Sequence, residues 1–510
     1  MEQFRGETSF TTRVGKAHYQ AMASPTAMKP FSTEETQRIL HHLQQPAVFM
    51  NMTCDWPALH WTAEQLSVCL SDKLIRFRLG RREETNTPLF ETQCSYVEAS
   101  LVHFLSWTCG QSGPDVGPFS EFSYSEYWAY ADYKYIAMLF QDQPSMFEDV
   151  RWPDFGFEGR DGRESTLWIG TEGANTPCHQ DSYGCNLVLQ VQGRKQWYLF
   201  PPDDASKLYP TRIPYEESSV FSQVDVLRPD PRKFPDFQKA RVHTVTLQPG
   251  QVLFVPRHWW HYVESVDPIT VSINSWIELE ADDVARVSEA VTKAVVCAMK
   301  GCPSDDNRDD WLNPTEEGVT SHNENMQYLN LAIRACAQRQ TDLHCSTLTL
   351  DPRDSRPAKR DSGGQIRKPC VWKRDPAPFT IPFGPHLISV CCQRRDSTET
   401  RDMTPKDLEV KPSRKWAGEP QEDEQRTEPA SAVRLHRGKD ECSSGLTQCV
   451  ACDRADGMSE NSSEDCEESR DSIITTNDLL DCLVHPDVIA TVTGLLLARH
   501  TRSHRTTAAS

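Results

Sequence analysis

The sequence predicts a mainly β protein with flanking helices, an antiparallel sandwich or barrel, followed by a largely disordered C-terminal region. Three observations carry this. Between residues 119 and 280, short β-branched and aromatic runs recur with Gly, Pro and Asn turns between them, and no long helices intervene as a βαβ sheet would require. Mean hydropathy is −0.59 over 510 residues and 34 prolines outnumber 24 glycines, so part of the chain lacks the apolar content to pack. After about residue 350, Pro, Ser, Asp, Glu, Arg and Gln dominate, leaving too little apolar area to offset chain entropy.

Residues 1–28 lack periodicity and read as a flexible N-terminal arm, and 29–118 as a helical and strand part that supports the β domain. A helix starts at Ser32, where Ser32-Thr-Glu-Glu35 forms a capping box, and ends near Gln45-Pro46. Asp55-Trp-Pro-Ala58 reads as a turn, 62–70 as a second helix and 74–79 as a strand. Within 119–290 strands are expected at 135–140, 166–170, 185–191, 196–200, 243–247, 251–255, 259–263 and 269–277. Turns fall at Gln192-Gly193 and Gln248-Pro-Gly250, and a loop-like insertion, 201–242, interrupts the run.

From Glu280 the pattern turns helical, with Val284, Val287, Val291, Ala294 and Val295 on one face. A helical extension is expected over 291–350, including a helix at 325–338, then a disordered linker over 351–471. A short helical segment follows at 472–500, split or restarted at Pro486, and then a tail, 501–510.

Net charge is −19, from 54 basic and 73 acidic residues. Residues 351–510 hold 24 basic against 27 acidic, so the first 350 hold 30 against 46 and carry nearly all of the imbalance. An acidic folded part opposes phosphate-backbone binding and attracts basic peptide segments, so a basic peptide or protein substrate is expected and nucleic acid is not. No stretch approaches the ~18 apolar residues that span a bilayer, so no membrane partner is expected. The start, Met1-Glu-Gln-Phe-Arg-Gly-Glu, has no apolar core of the kind a secretory signal needs, so the 18 cysteines read as reduced thiols. That predicts a cytoplasmic location, with the nucleus as the alternative.

The sharpest chemical feature is His179-Gln180-Asp181. On a strand His179 and Asp181 share one face, and an imidazole with a carboxylate supplies two of the three donors of a non-haem Fe(II) site. Alone the pair is weak, because His-x-Asp/Glu is expected about twice by chance in this composition. A second unit, Pro249-Gly-Gln-Val-Leu-Phe-Val-Pro256, leads to Arg257-His258-Trp259-Trp260-His261. Apolar neighbours at Trp259 and Val263 place His261 on an interior face, where an imidazole must be bonded or metal-bound. His261 is therefore the third donor; its rival, His258, follows Arg257 in a turn and is expected to be exposed.

Lys195 alternates with Trp197 and Leu199, so it points inward, where it needs an anion; a dicarboxylate such as 2-oxoglutarate supplies one. Thr176, Asn186, Asn274 and a tyrosine, Tyr133 or Tyr135, are candidates for the remaining cofactor bonds. Asn274 shares a face with Thr270, Ser272 and Trp276, and alternation does not say whether that face is lumen or exterior.

Thr176-Pro-Cys-His179-Gln-Asp181, Gln192-Gly-Arg-Lys195-Gln-Trp-Tyr-Leu-Phe-Pro-Pro202, Pro249 to Pro256, Trp259-Trp-His261 and Ile269-Thr-Val-Ser-Ile-Asn274-Ser-Trp together resemble the JmjC family of Fe(II)/2-oxoglutarate oxygenases. The resemblance covers about residues 30–300. It implies a double-stranded β-helix of the jelly-roll, cupin-like type. It implies His179, Asp181 and His261 as iron ligands and catalytic centre, Lys195 as the 2-oxoglutarate anchor, and Thr176 and Asn274 as supporting contacts. Asn186 matches with one residue of extra spacing, and the tyrosine stays open between Tyr133 and Tyr135. Within the family the sequence resembles a branch associated with a small heat-shock protein, which implies such a partner. The expected function is hydroxylation of a protein side chain, ahead of lysine demethylation; the alternative is a non-catalytic interaction protein that binds and modulates the small heat-shock protein. Cys449-Val-Ala-Cys452, with Cys442 and Cys466, is a thinner candidate for a small zinc site.

Overall fold

The protein is seen in a computed structural model that describes residues 28–82, 86–301, 311–314, 320–348, 379–392 and 474–507. The N-terminal part holds α1 (Thr33–His42), β1 (Ala47–Phe49), α2 (Ala63–Leu70), β2 (Ile75–Arg81), β3 (Ser95–Ala99) and α3 (Leu101–Thr108). Next come β4 (Tyr127–Tyr135), α4 (Ile136–Leu139), β5 (Thr166–Thr171), β6 (Asn175–Asp181), β7 (Cys185–Gln192) and β8 (Lys195–Phe200). The chain continues through β9 (Pro210–Glu216), β10 (Ser219–Ser222), β11 (His243–Leu247), β12 (Val252–Val255), β13 (Trp260–Ser265) and β14 (Ile269–Ile277). It ends with α5 (Asp282–Lys300), α6 (His322–Leu348), β15 (Leu387–Ser389), α7 (Thr476–Leu483) and α8 (Pro486–Thr507).

Caps set the first helices where the sequence places them: the Ser32 hydroxyl accepts from the Glu35 amide and that of Thr62 from the Gln65 amide, each at 3.2 Å. The strands form two antiparallel sheets. One runs β15-β1-β12-β7-β14-β5-β4-β2-β3 and the other β11-β8-β13-β6-β10-β9. From β5 to β8, and again from β11 to β14, successive strands alternate between the sheets, which is the winding of a double-stranded β-helix. The turn from β7 to β8 depends on Gly193, with φ +63°, where a Cβ would lie 2.3 Å from the Ile269 carbonyl oxygen.

Alternation then sorts the side chains. Leu167, Ile169, Leu187, Leu189 and Ile273 of the larger sheet join a core with the N-terminal helices, where Trp56 and Trp152 meet edge to face at 5.1 Å. Each such side chain contributes about 1.5–3 kcal/mol by burial. The opposite face of the same strands is turned toward the second sheet and carries polar residues.

Several expectations are corrected. The segment 135–140 is not a strand: β4 ends at Tyr135, and the buried Ile136 and Leu139 follow helical spacing in α4. The insertion 201–242 is more than a loop, since β9 and β10 extend the second sheet, with Ser219 opposite Asp181 and Phe221 opposite His179. On α5 the buried stripe is Val287, Ala290, Val291 and Val296, whereas Val284 is 47% exposed. The expected disorder over 351–471 is broken at 379–392, where β15 covers the edge of β1, pairing Phe49 with Leu387 and Ala47 with Ser389. That apolar run is too short to stand out in a charged neighbourhood. Pro486 starts α8, and the helix runs past 500 to Thr507 where a tail was expected. The arm before residue 28, the rest of the linker and the Cys442–Cys466 group lie outside the described residues. Among the described residues no single helix is long and apolar enough to cross a membrane; α7 and α8 pass that test only as a pair bent by 52°.

Leu387 is fully buried in the main core. Leu387→Ala is expected to lower unfolding free energy by about 2–5 kcal/mol in a denaturant titration, the cost of a core cavity. An unchanged midpoint would mean that β15 is not part of the folded body.

Candidate metal centre

On β6 the pleat puts His179 and Asp181 on the inner face and Gln180 on the outer. Antiparallel pairing sets His261 of β13 directly opposite His179. One donor atom from each of His179, Asp181 and His261 lies within 4.8 Å of the others. Both imidazoles are oriented by the carbonyl two residues upstream: His179 Nδ1 is 2.9 Å from the Pro177 oxygen and His261 Nδ1 is 3.0 Å from the Trp259 oxygen. A carbonyl only accepts, so each Nδ1 carries the proton and each Nε2 keeps its lone pair.

Those lone pairs converge on the carboxylate. His179 Nε2 is 3.7 Å from Asp181 Oδ1, and His261 Nε2 is 4.0 Å from Oδ2. These separations are too long for hydrogen bonds and suit three donors that each stand about 2 Å from one shared ion. Trp276 Nε1 donates to Asp181 Oδ2 at 3.1 Å and fixes the carboxylate. Burial pushes His179 down to about 4, helped by the neighbouring His261, so the imidazole is in the neutral form that ligates metal.

A small chamber of about 40 Å³ opens beside the triad. The structure brings Thr176, Asn186, Lys195, Asn274 and Tyr133 together on its wall with His179 and His261. Lys195 is buried and donates to two neutral oxygens, Ser272 Oγ at 2.8 Å and Tyr130 Oη at 3.1 Å. Desolvation lowers its pKa to about 7, against the pull of Asp132. Asp132 itself is held by Arg78 at 2.7 Å. Asn274 donates to Asn186 Oδ1 at 3.0 Å and accepts from Trp168 Nε1 at 2.6 Å, so the face left open by alternation is lumen.

Tyr135 does not belong to the group: it is 59% exposed. A bulge in β4 between Ala131 and Lys134, with Tyr133 at φ 51°, breaks the alternation that would have given both tyrosines one orientation. Tyr130 was missed, although β4 alternates Trp128, Tyr130 and Asp132 into the interior; misplacing the strand at 135–140 hid that signal. Ser272, Trp168 and Trp276 were also missed as chamber residues. His258 is half-buried and not exposed as expected; its Nε2 lies 3.3 Å from the Ser182 oxygen, away from the triad.

Residues 33–283 match the family described as a cupin-like domain. HSPB1-associated protein 1 homolog of Danio rerio is 55% identical over 477 residues, covering 93% of this chain and 99% of the relative. The chain belongs to the cupin-like JmjC family. HSPB1-associated protein 1 of Homo sapiens is 46% identical over 488 residues, 92% of this chain and 94% of that protein. Lysine-specific demethylase 8 of Xenopus tropicalis, a JmjC relative, is 30% identical over 247 residues, covering 46% and 49% of the two chains.

The depressed His179 pKa has a consequence for the metal-free JmjC domain. An unfolded histidine near 6.5 takes up its proton before the folded one near 4, so stability conferred by neutral His179 is present above pH 6.5 and is lost as pH falls toward 4. The loss from this group approaches about 3 kcal/mol. Denaturant titrations of metal-free wild type and His179→Gln between pH 7 and 4 check this, and equal slopes for the two would refute it.

Proposed function

We propose that the chain is an Fe(II)- and 2-oxoglutarate-dependent oxygenase that hydroxylates a protein side chain. The observation that carries this is the two unprotonated Nε2 atoms and one carboxylate that converge at one end of a chamber, with a buried ammonium held by neutral oxygens in its wall. A set of two imidazoles and one carboxylate leaves coordination positions open and suits Fe(II). When bound, the metal and 2-oxoglutarate supply the O₂-dependent oxidising chemistry that inserts oxygen into a C–H bond.

This chain's own residues do the rest. Lys195 offers its ammonium to the far carboxylate of the cofactor, which removes the cost of a buried lysine without a bonded acid. Tyr130 and Ser272 hold that ammonium in place, and Thr176, Asn186 and Asn274 line the same chamber. Val188, Trp197 and Val263 make the remaining wall apolar and keep water out. The surplus acid of the first 350 residues favours a basic peptide substrate. Lysine demethylation uses the same oxidant on an N-methyl group and is the second reading, favoured by the name of the Xenopus tropicalis relative.

Association with a small heat-shock protein is a separate proposal, supported by the names of the relatives that align over more than nine-tenths of this chain. The two roles separate by substitution at the triad. His179→Ala with Asp181→Ala is expected to abolish 2-oxoglutarate turnover while leaving small-heat-shock-protein capture intact in a pull-down. Loss of capture in that folded variant would tie the partner to the metal site.

Lys195→Ala is expected to weaken 2-oxoglutarate binding by about 2–5 kcal/mol, the cost of removing one member of a buried charge pair. Isothermal titration in the presence of a divalent metal measures this. Unchanged affinity would overturn the role of Lys195.

A further inference from the structure

A second chamber, of about 470 Å³, lies behind the strands that carry the metal donors. Gln180 of β6 and Trp260 of β13 belong to its wall, and they alternate with His179, Asp181 and His261. The two chambers therefore occupy opposite faces of the same pair of strands. The rest of the wall comes from the β9–β10 insertion, from α5 and from α7, α8 and the link between them, where Val484 of the link and Ile489 of α8 are buried. Its volume falls in the ~300–1,000 Å³ range of small-molecule sites, and a mostly apolar wall with a few fixed polar groups is their usual lining.

Charge selects the ligand. Each guanidinium in this wall already has its own acid. Arg212 is gripped by Glu289 through two contacts of 2.7 Å, and Arg257 Nε lies 3.1 Å from Asp282 Oδ1. Asp481 differs from these acids. Its Oδ1 accepts from the Thr211 hydroxyl at 3.4 Å, and among the described residues it has no ion-pair partner. Burial raises its pKa, as expected for a carboxylate without a compensating cation. Among the described residues a carboxylate ligand would find no arginine or lysine in this wall without its own acid and would meet Asp481; an ammonium would find one uncompensated acid beside an apolar space.

We propose that this chamber binds a small amphipathic amine, its ammonium paired with Asp481 and its apolar body packed among Val220, Trp260, Ala285 and Ile489. The site is distinct from the metal chamber and does not depend on the oxygenase reading. It forms only where α7 and α8 dock, so the C-terminal segment completes a pocket that the β domain alone leaves open.

The test uses the intact chain at pH 7.5 with decylamine, decanol and decanoate, each below its micellar concentration, in isothermal titrations. Decylamine is expected to bind at least about tenfold more tightly than the other two, a difference one partly buried ion pair can supply. Asp481→Asn is expected to erase that preference while leaving decanol unchanged. Asp72→Asn, at an exposed acid after α2, controls for general surface charge and should change nothing. A photoreactive diazirine analogue of decylamine should label peptides within 205–220, 281–292 and 481–490 of the wild-type chain. Tight decanoate binding, a preference that survives Asp481→Asn, or labelling elsewhere would each overturn the proposal. So would a lysine-containing peptide that binds where decylamine does not, since the site would then serve a protein partner.

Discussion

The register between β6 and β13 is the constraint on which the rest depends. Side chains repeat every two residues along a strand, so a slip by one position would carry Gln180 or Trp260 into the lumen and expel an imidazole. Pairing on both flanks prevents the slip. β10 sets Phe221 against His179 on one side of β6, and β8 sets Leu199 against His261 on the far side of β13. Within that frame each histidine needs only its own backbone for orientation, because both rings bond the carbonyl two residues before them. The same local device in two strands aims two Nε2 atoms at one carboxylate.

Acids outnumber bases over the first 350 residues. Among the described residues the chamber wall carries one lysine, Lys195, with neutral hydroxyls, amides and aromatic rings; Asp181 of the triad stands at one end, and Asp132 is committed to Arg78. The buried ammonium in that wall donates to two neutral oxygens and has no bonded acid among the described residues.

Much of this was legible in the sequence, because the decisive signals are local. His179 with Asp181, the inward course of Lys195 and the strand 269–277 follow from two-residue alternation. One cause of the failures is that alternation assumes a regular strand. The bulge at Tyr133 breaks it, which left Tyr133 and Tyr135 equivalent and hid Tyr130. Long-range pairing was equally invisible. Nothing near 387 announces that it will cover β1, and nothing in 201–242 announces that it will extend the sheet beyond β6. Charged and proline-rich surroundings dilute short strands in any window average, whereas the partner strand that stabilises them lies far away in sequence.

The alternation that builds the metal site also builds its reverse side. Gln180 donates to the His258 carbonyl at 2.7 Å, tying the turn before β13 to the outer face of β6. His258 takes a left-handed conformation in that turn, at φ 64°, and its ring is spent on the Ser182 carbonyl. The histidine that competes with His261 in sequence is thus a brace between the two strands rather than a donor. It helps hold the register that makes the donors meet. A strand whose inner residues must stay fixed to a fraction of an ångström gains from outer residues that are fixed as well. The polar ties at Gln180 and His258, and the helices α5, α7 and α8 packed over them, supply that second layer of restraint.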